Sequence, residues 1–272
     1  MKNPRILILV LAGDTSISNR NLNAQKNTWM KHDNSQVEIV SYKGGSEKQF
    51  INSELVLNCP DDYESISLKT MMAFDWVNDN CEFDYLFRTN TSSYVNLEKL
   101  VDFCKKNENN YLYRGRIISD VFNNKEISWV SGAEILMSKL SFDVLINNKQ
   151  SWNTALPDDV AIGSIFQEQK IGIETSNSIL FDRKFFDRKH LNHEYHFRCR
   201  VDSPYYYPRF LDPILLGYIH KELHNKNIQI YRRYIYKSLF FLSKLFAIKK
   251  HKDYFFFYFW KFLKYFKKTI MK

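Results

Sequence analysis

Residues 83–96 read FDYLFRTNTSSYVN, and the change of character halfway along decides the fold. Tyr85 to Phe87 is a short apolar run with an aromatic at each end, as in a buried strand, and Arg88 to Ser93 is then wholly polar. A strand that runs out into Arg-Thr-Asn-Thr-Ser-Ser presents hydrogen-bond donors and acceptors. In open α/β sheets ligands lie just outside the carboxyl ends of the strands, so Arg88, Asn90, Thr91 and Ser92 are candidate ligand contacts from position alone. An ordinary polar loop is the competing reading of the same residues.

On the N-terminal side, Ile6 to Ala12 (ILILVLA) is an uninterrupted apolar run. It is far shorter than the roughly 20 residues that span a bilayer and suits a strand buried on both faces. The turn Gly13-Asp14-Thr15-Ser16 and a helical stretch from Asn19 to Met30 complete a βα unit. Its turn places Asp14 and Thr15 where phosphate- or base-binding turns often fall. Val37 to Tyr42 is a second strand closed by Lys43-Gly44-Gly45, and Glu54 to Asn58 a third, ended by Pro60-Asp61-Asp62. From Ser65 to Asn80 the recurrence of Leu68, Met72 and Trp76 predicts a helix with that stripe facing the core.

Beyond the polar strand end, Leu97, Leu100, Val101 and Cys104 predict a helix over Leu97 to Lys106, and Tyr111 to Arg116 reads as a strand. Strands alternating with helices predict an α/β domain with a mostly parallel sheet. Glu126 to Ser138 has a strand rhythm interrupted by Ser131-Gly132-Ala133, small residues that admit a ligand or a second backbone. Pro157-Asp158-Asp159 opens a helix carrying Val160, Ile162, Ile165 and Phe166. Proline and acids suit a helix start, so capping alone accounts for the two aspartates. Residues 190–200, HLNHEYHFRCR, gather His190, His193 and His196 with Arg198 and Arg200. The alternation of Tyr195, Phe197 and Cys199 makes this a strand with His196, Arg198 and Arg200 on one side. That pattern suits phosphate better than zinc, and a solvated basic strand equally. Arg209 to Asn225 reads as a helix.

The 272 residues carry a net charge of +9, and its position matters more than its sum. From Arg232 to Lys272 there are 12 Lys+Arg and one acid, Asp253, giving +11; residues 1–231 then hold 27 basic and 29 acidic residues, giving −2. The body is nearly neutral, which argues against nucleic acid as a partner. The tail also holds 15 of the 44 aromatics, with Lys breaking its apolar runs. Such a mixture describes a helix lying on a membrane surface rather than crossing it, each basic residue adding about 1 kcal/mol near anionic lipid. The expected organisation is a domain over 1–231 and an amphipathic basic, aromatic tail over 232–272. Cys59, Cys81, Cys104 and Cys199 show no metal-type spacing, and nothing at the N-terminus resembles a signal peptide. A reduced, cytoplasmic protein held peripherally at a membrane is the expectation.

Several segments resemble, in order, the fringe and β-1,3-galactosyltransferase superfamily of inverting glycosyltransferases with a GT-A fold. Arg20 with Thr28-Trp29 resembles that family's early Arg and Thr-Trp helix. Glu64 to Cys81 resembles its Leu-x-x-Lys-Thr helix with a following Trp and Cys, and FDYLFRTNTSSYVNLEKL its metal-site strand. Trp129-Val130-Ser131-Gly132-Ala133 resembles the Trp-x-x-Gly-Gly/Ala segment, and Pro157 to Gly163 the acidic Asp/Glu-Asp-Val-x-x-Gly motif. The resemblance spans roughly Ile6 to Arg200.

It implies a GT-A, Rossmann-like fold and transfer of a sugar from a nucleotide donor, UDP-linked, to an acceptor glycan. It points to Asp159 as general base, with Asp158 supporting, because an acceptor hydroxyl must lose its proton as it attacks the anomeric carbon. It places Asp14, Thr15, Arg20, Arg88, Asn90, Thr91, Ser92, Trp129, Ser131, Gly132, His196, Arg198 and Arg200 around the nucleotide sugar. The family offsets the charge of the departing diphosphate with a divalent ion held by Asp-x-Asp and a late histidine. Here those acidic positions are Asn90, Thr91 and Ser92, none charged, whereas Mn2+ or Mg2+ favours carboxylate oxygens. Three explanations stand: Arg88, His196, Arg198 and Arg200 meet the charge instead; a neighbouring acid restores the ion; or catalysis is lost and a sugar-binding or scaffolding role remains.

Overall fold

A computed structural model describes residues 3–31, 34–122, 125–180, 191, 194–200, 209 and 212–224. The tail over 232–272, His190 and His193 lie outside the described residues. In chain order the elements begin with β1 (Ile6–Leu11), α1 (Ser16–Lys26), β2 (Val37–Gly45), β3 (Gln49–Ile51), β4 (Glu54–Asn58) and α2 (Ile66–Asn80). Then come β5 (Tyr85–Asn90), β6 (Ser93–Val95), α3 (Leu97–Lys106), β7 (Tyr113–Gly115), β8 (Ile117–Phe122), β9 (Lys125–Val130) and β10 (Ile135–Ser138). The last are α4 (Lys139–Asn147), α5 (Asp158–Glu168), β11 (Glu174–Thr175), β12 (Ile179–Leu180), β13 (His196–Arg198) and α6 (Asp212–His224).

Eight strands form one mixed sheet in the order β11-β7-β10-β5-β1-β2-β4-β3. Its centre is parallel: Ile6 of β1 sits opposite Val37 of β2 on one side and Tyr85 of β5 on the other, and β2 runs parallel to β4. The apolar run in β1 has a direct cause. Ile6, Ile8 and Val10 feed one buried cluster and Leu7 and Leu9 another, so both faces of the strand are covered. On one face lie α2, α4 and α5; on the other α1, α3 and α6 complete the second layer. The expected α/β sheet flanked by helices is therefore the observed one.

Several boundaries differ from expectation for local reasons. The first helix begins at Ser16, not Asn19, because the Thr15 hydroxyl accepts from the Ser18 N–H at 3.1 Å and caps it. It stops at Lys26, and Trp29 to Lys31 form a separate 3-10 turn. The second strand continues through Gly44 and Gly45 instead of closing there. A Cβ on Gly44 would lie 2.5 Å from the Pro60 carbonyl oxygen, and one on Gly45 2.4 Å from Val56 Cγ1, so the glycines let the neighbouring chain come close. β3 was not expected; it folds back on β4 through Asn52 and Ser53, both with positive φ (51° and 60°). The buried face of α2 is Ala73, Phe74 and Val77, with Lys69 and Thr70 beside them. Leu68, Met72 and Trp76 are its half-buried flank, and the Trp76 ring lies 4.7 Å from that of Phe50.

β5 does not end at Phe87. It runs to Asn90, so Arg88 and Thr89 are buried inside the strand. Of the stretch Tyr111 to Arg116 only Tyr113 to Gly115 is strand, as β7, and β8 starts just beyond it at Ile117. α6 docks late in the chain onto early elements: Tyr94 Oη lies 3.0 Å from His220 Nδ1 and 3.2 Å from His224 Nε2, and Asn21 of α1 donates to Asp212 at 3.2 Å.

Candidate active site

A cleft of about 730 Å³ opens beyond the carboxyl ends of β1, β4 and β5. Its two opposed walls differ in charge. One carries Asp158 and Asp159 at the start of α5, facing the Ser131-Gly132-Ala133 connection between β9 and β10. The other carries Arg198, Arg200 and Arg209 above Asn90, Thr91 and Ser92.

On the acid wall, Arg88 is 2% exposed and pairs through Nη2 with Asp158 Oδ2. The Thr70 hydroxyl donates to the same oxygen at 2.8 Å. Arg88 Nε donates to Tyr42 Oη at 3.2 Å, and Tyr42 Oη and Thr70 Oγ1 are 3.0 Å apart. Burial works against the Arg88 charge, but Asp158 and then Tyr42 outweigh it and raise the guanidinium pKa. Asp159 is half-buried and turned to the cleft, its Oδ2 accepting from the Gly132 N–H at 2.8 Å and its Oδ1 from the Val160 N–H at 3.0 Å. Burial and the like charge of Asp158 push the Asp159 carboxyl above the ordinary carboxylate value, against the opposing pull of the Gly132 N–H and Arg88. Gly132 is needed for this approach, since a Cβ there would lie 2.8 Å from Arg88 Nη1 and 3.1 Å from Asp159 Oδ2.

On the arginine wall, Arg198 of β13 donates through Nη1 to Asn90 Oδ1, and Arg209 Nη2 donates to Ser92 Oγ at 2.6 Å. Asp212, fully buried, holds the Arg209 guanidinium at 2.8 Å. The turn beneath is fixed from α1: Gln25 Nε2 donates to the carbonyls of Asn90 at 3.0 Å and Ser93 at 2.6 Å, and Trp29 Nε1 to Ser93 at 3.2 Å. A hard divalent cation does not fit here. The side chains are neutral, and the oxygens of Asn90 and Ser92 already face arginines.

The structure thus gathers Thr15, Arg88, Asn90, Thr91, Ser92, Ser131, Gly132, Asp158, Asp159, Arg198 and Arg200 at one cleft. It does not bring four other expected residues to the cleft wall. Arg20 is exposed on α1, with Nε donating to the Ser16 carbonyl at 3.2 Å. Asp14 turns its side chain toward Lys43, 3.6 Å away, and contributes its backbone N–H to Asp61 instead. Trp129 packs with Ile127 and Val160 and presses on Gly163, fastening β9 to α5. His196 is buried behind the wall, 3.0 Å from Ser93 Oγ, 3.3 Å from Ser178 Oγ and 3.5 Å from Glu134. Arg88 lines the cleft but is buried against Asp158 and Tyr42, whereas Arg198, Arg200 and Arg209 line it while half-buried.

Arg209 and Asp61 were missed. Arg209 sits in no periodic pattern, and only the Asp three residues on hints at its pairing. Asp61 accepts from Asp14 N (2.6 Å), Gly44 N (2.9 Å) and Lys69 Nζ (2.9 Å), joining three segments at the floor of the cleft. The signal for it was Lys69, a charge on the buried face of α2.

Residues 20–131, less than half of the chain, match the model of the family described as Galactosyltransferase. Among solved structures, the chain is similar to a glycosyltransferase involved in the glycosylation of the major capsid of PBCV-1. The identity is 10%, covering 79% of this chain and 100% of that one, with a TM-score of 0.51. A weaker likeness, TM-score 0.37 at 12% identity over 70% of this chain and 54% of the other, is to the bifunctional IspDF from Campylobacter jejuni. No curated protein matches the chain. Fold and family match together make the chain a glycosyltransferase. Over residues 20–131 the likeness is to the galactosyltransferase family.

Proposed function

We propose that this glycosyltransferase moves a hexose from a UDP-linked donor to a glycan, lipid-linked or protein acceptor, inverting the anomeric carbon, and that arginines replace the divalent cation. The observation that carries the reading is the pairing of Asn90 with Arg198 and Ser92 with Arg209, at the positions where the resembled family holds its metal. In a single displacement the acceptor oxygen forms its bond to the anomeric carbon while its proton passes to Asp159, and the bond to the diphosphate oxygen breaks on the opposite face. The departing diphosphate gains negative charge, which Arg198, Arg200 and Arg209 stabilise. Ser131 and the Gly132 backbone line the cleft beside Asp159, where they would face the transferred sugar. The basic, aromatic tail is assigned in this reading to a membrane surface on the cytoplasmic side. Liposome co-sedimentation with and without Arg232 to Lys272 tests that part, and equal binding by both would remove it.

The chemistry is tested by assaying a panel of nucleotide sugars with EDTA and with added manganese. Turnover unaffected by EDTA supports the reading. Turnover that needs manganese overturns the arginine substitution. Binding of nucleotide sugar with no turnover favours the sugar-binding role, for which loss of the acidic triplet is the motive.

A further inference from the structure

The side chains of Arg88, Tyr42, Thr70 and Asp158 close a ring whose proton directions are fixed by counting donors. An arginine only donates, so Tyr42 Oη accepts from Arg88 Nε. Tyr42 then gives its one proton to Thr70 Oγ1, and Thr70 gives its one proton to Asp158 Oδ2, which also receives Arg88 Nη2. All four residues are at most 4% exposed, and they come from β2, α2, β5 and α5. Asp158 lines the cleft with only 4% of its surface exposed, and its Oδ2 is taken up by two donors of the ring. The next residue, Asp159, is the more exposed carboxylate of the pair.

We propose that Asp158 is a positioning residue and not a second base: the ring holds its carboxyl group in place, and through it pins the start of α5 so that Asp159 takes the acceptor's proton. Thr70 and Tyr42 are positioning residues one step further back. This inference rests on the proposed transfer reaction only for its consequence on rate; the ring itself can be judged without turnover.

The test follows the carboxyl carbons of 13C-labelled Asp in the full-length protein through a pH titration, with Asp159→Asn to assign the signal. In Asp158→Asn, Asp159 loses a neighbouring negative charge while Arg88 keeps its positive one. Its proton affinity is expected to fall about tenfold or more. Thr70→Val keeps the shape but removes a donor that offsets the Asp158 charge, so Asp159 is expected to move by less and in the opposite direction, with Thr70→Ser restoring it. Thr70→Val remains informative if Asp158→Asn fails to fold. In transfer assays Thr70→Val lowers kcat about tenfold with donor KM unchanged, and the acid limb of its pH profile shifts with the titration. An Asp159 midpoint unmoved by folded Asp158→Asn or Thr70→Val would overturn the proposal. If the wild type shows the expected titration shifts but transfers no sugar, the ring stands and the transfer reading falls.

Discussion

The acid wall of the cleft is set inside the sheet, whereas the arginine wall is laid against it from later in the chain. Arg88, Tyr42, Thr70 and Asp158 are buried and hydrogen-bonded to one another, while Arg209 keeps 27% of its side chain exposed and reaches Ser92 from outside the sheet. The difference matches the two tasks of the proposed reaction. A base must hold one position and one proton affinity, which burial fixes. An anion clamp must admit a diphosphate and release it, which proximity to water permits.

The comparison breaks most sharply at Asp159. Asp159→Asn is expected to lower kcat about 10²- to 10⁴-fold with little change in donor KM, measured by steady-state transfer. The arginine wall gives the opposite split: Arg198→Ala or Arg209→Ala is expected to weaken UDP binding about 10- to 100-fold by calorimetry, because a charged donor to phosphate is lost. Gly132→Ala, which crowds the Asp159 carboxylate, is expected to cost about tenfold in kcat and to leave UDP affinity alone. Activity is also expected to fall with acid. The Asp159 carboxyl is raised above its ordinary value of about 4, so the ionised base is lost as pH drops through that raised midpoint; a profile flat through that range would remove Asp159 as base. The smallest effect belongs to Arg20→Ala, expected to leave both kcat and UDP affinity unchanged because the side chain sits on the outer surface of α1.

Much of the acid wall was legible in sequence, because helix starts, small-residue breaks and strand runs are local signals. Asp158-Asp159 and Ser131-Gly132-Ala133 were found that way. The arginine wall was legible only in part. Arg198 and Arg200 stood out by alternation, but Arg209 owes its place to Asp212 and to a turn more than 100 residues earlier, and no local pattern encodes that. His196 shows the opposite case: it shares a strand side with Arg198, yet it sits opposite Val95, deeper along β6, and the cleft begins two pairs further on, where Arg198 faces Ser93. Arg88 was correctly placed at the cleft, but its partner, Asp158, is 70 residues away. The match to the galactosyltransferase family stops at residue 131, short of both the base and the arginines.

The Asn21–Asp212–Arg209 link also sets an order of assembly. Every side chain of the acid wall has left the ribosome once α5 is made, while the clamp waits for Asp212 to reach α1 and for His220 and His224 to meet Tyr94. In the proposed reaction, the carboxylates can therefore be in place before the arginine wall is, and the contacts of α6 with α1 and β6 complete the cleft.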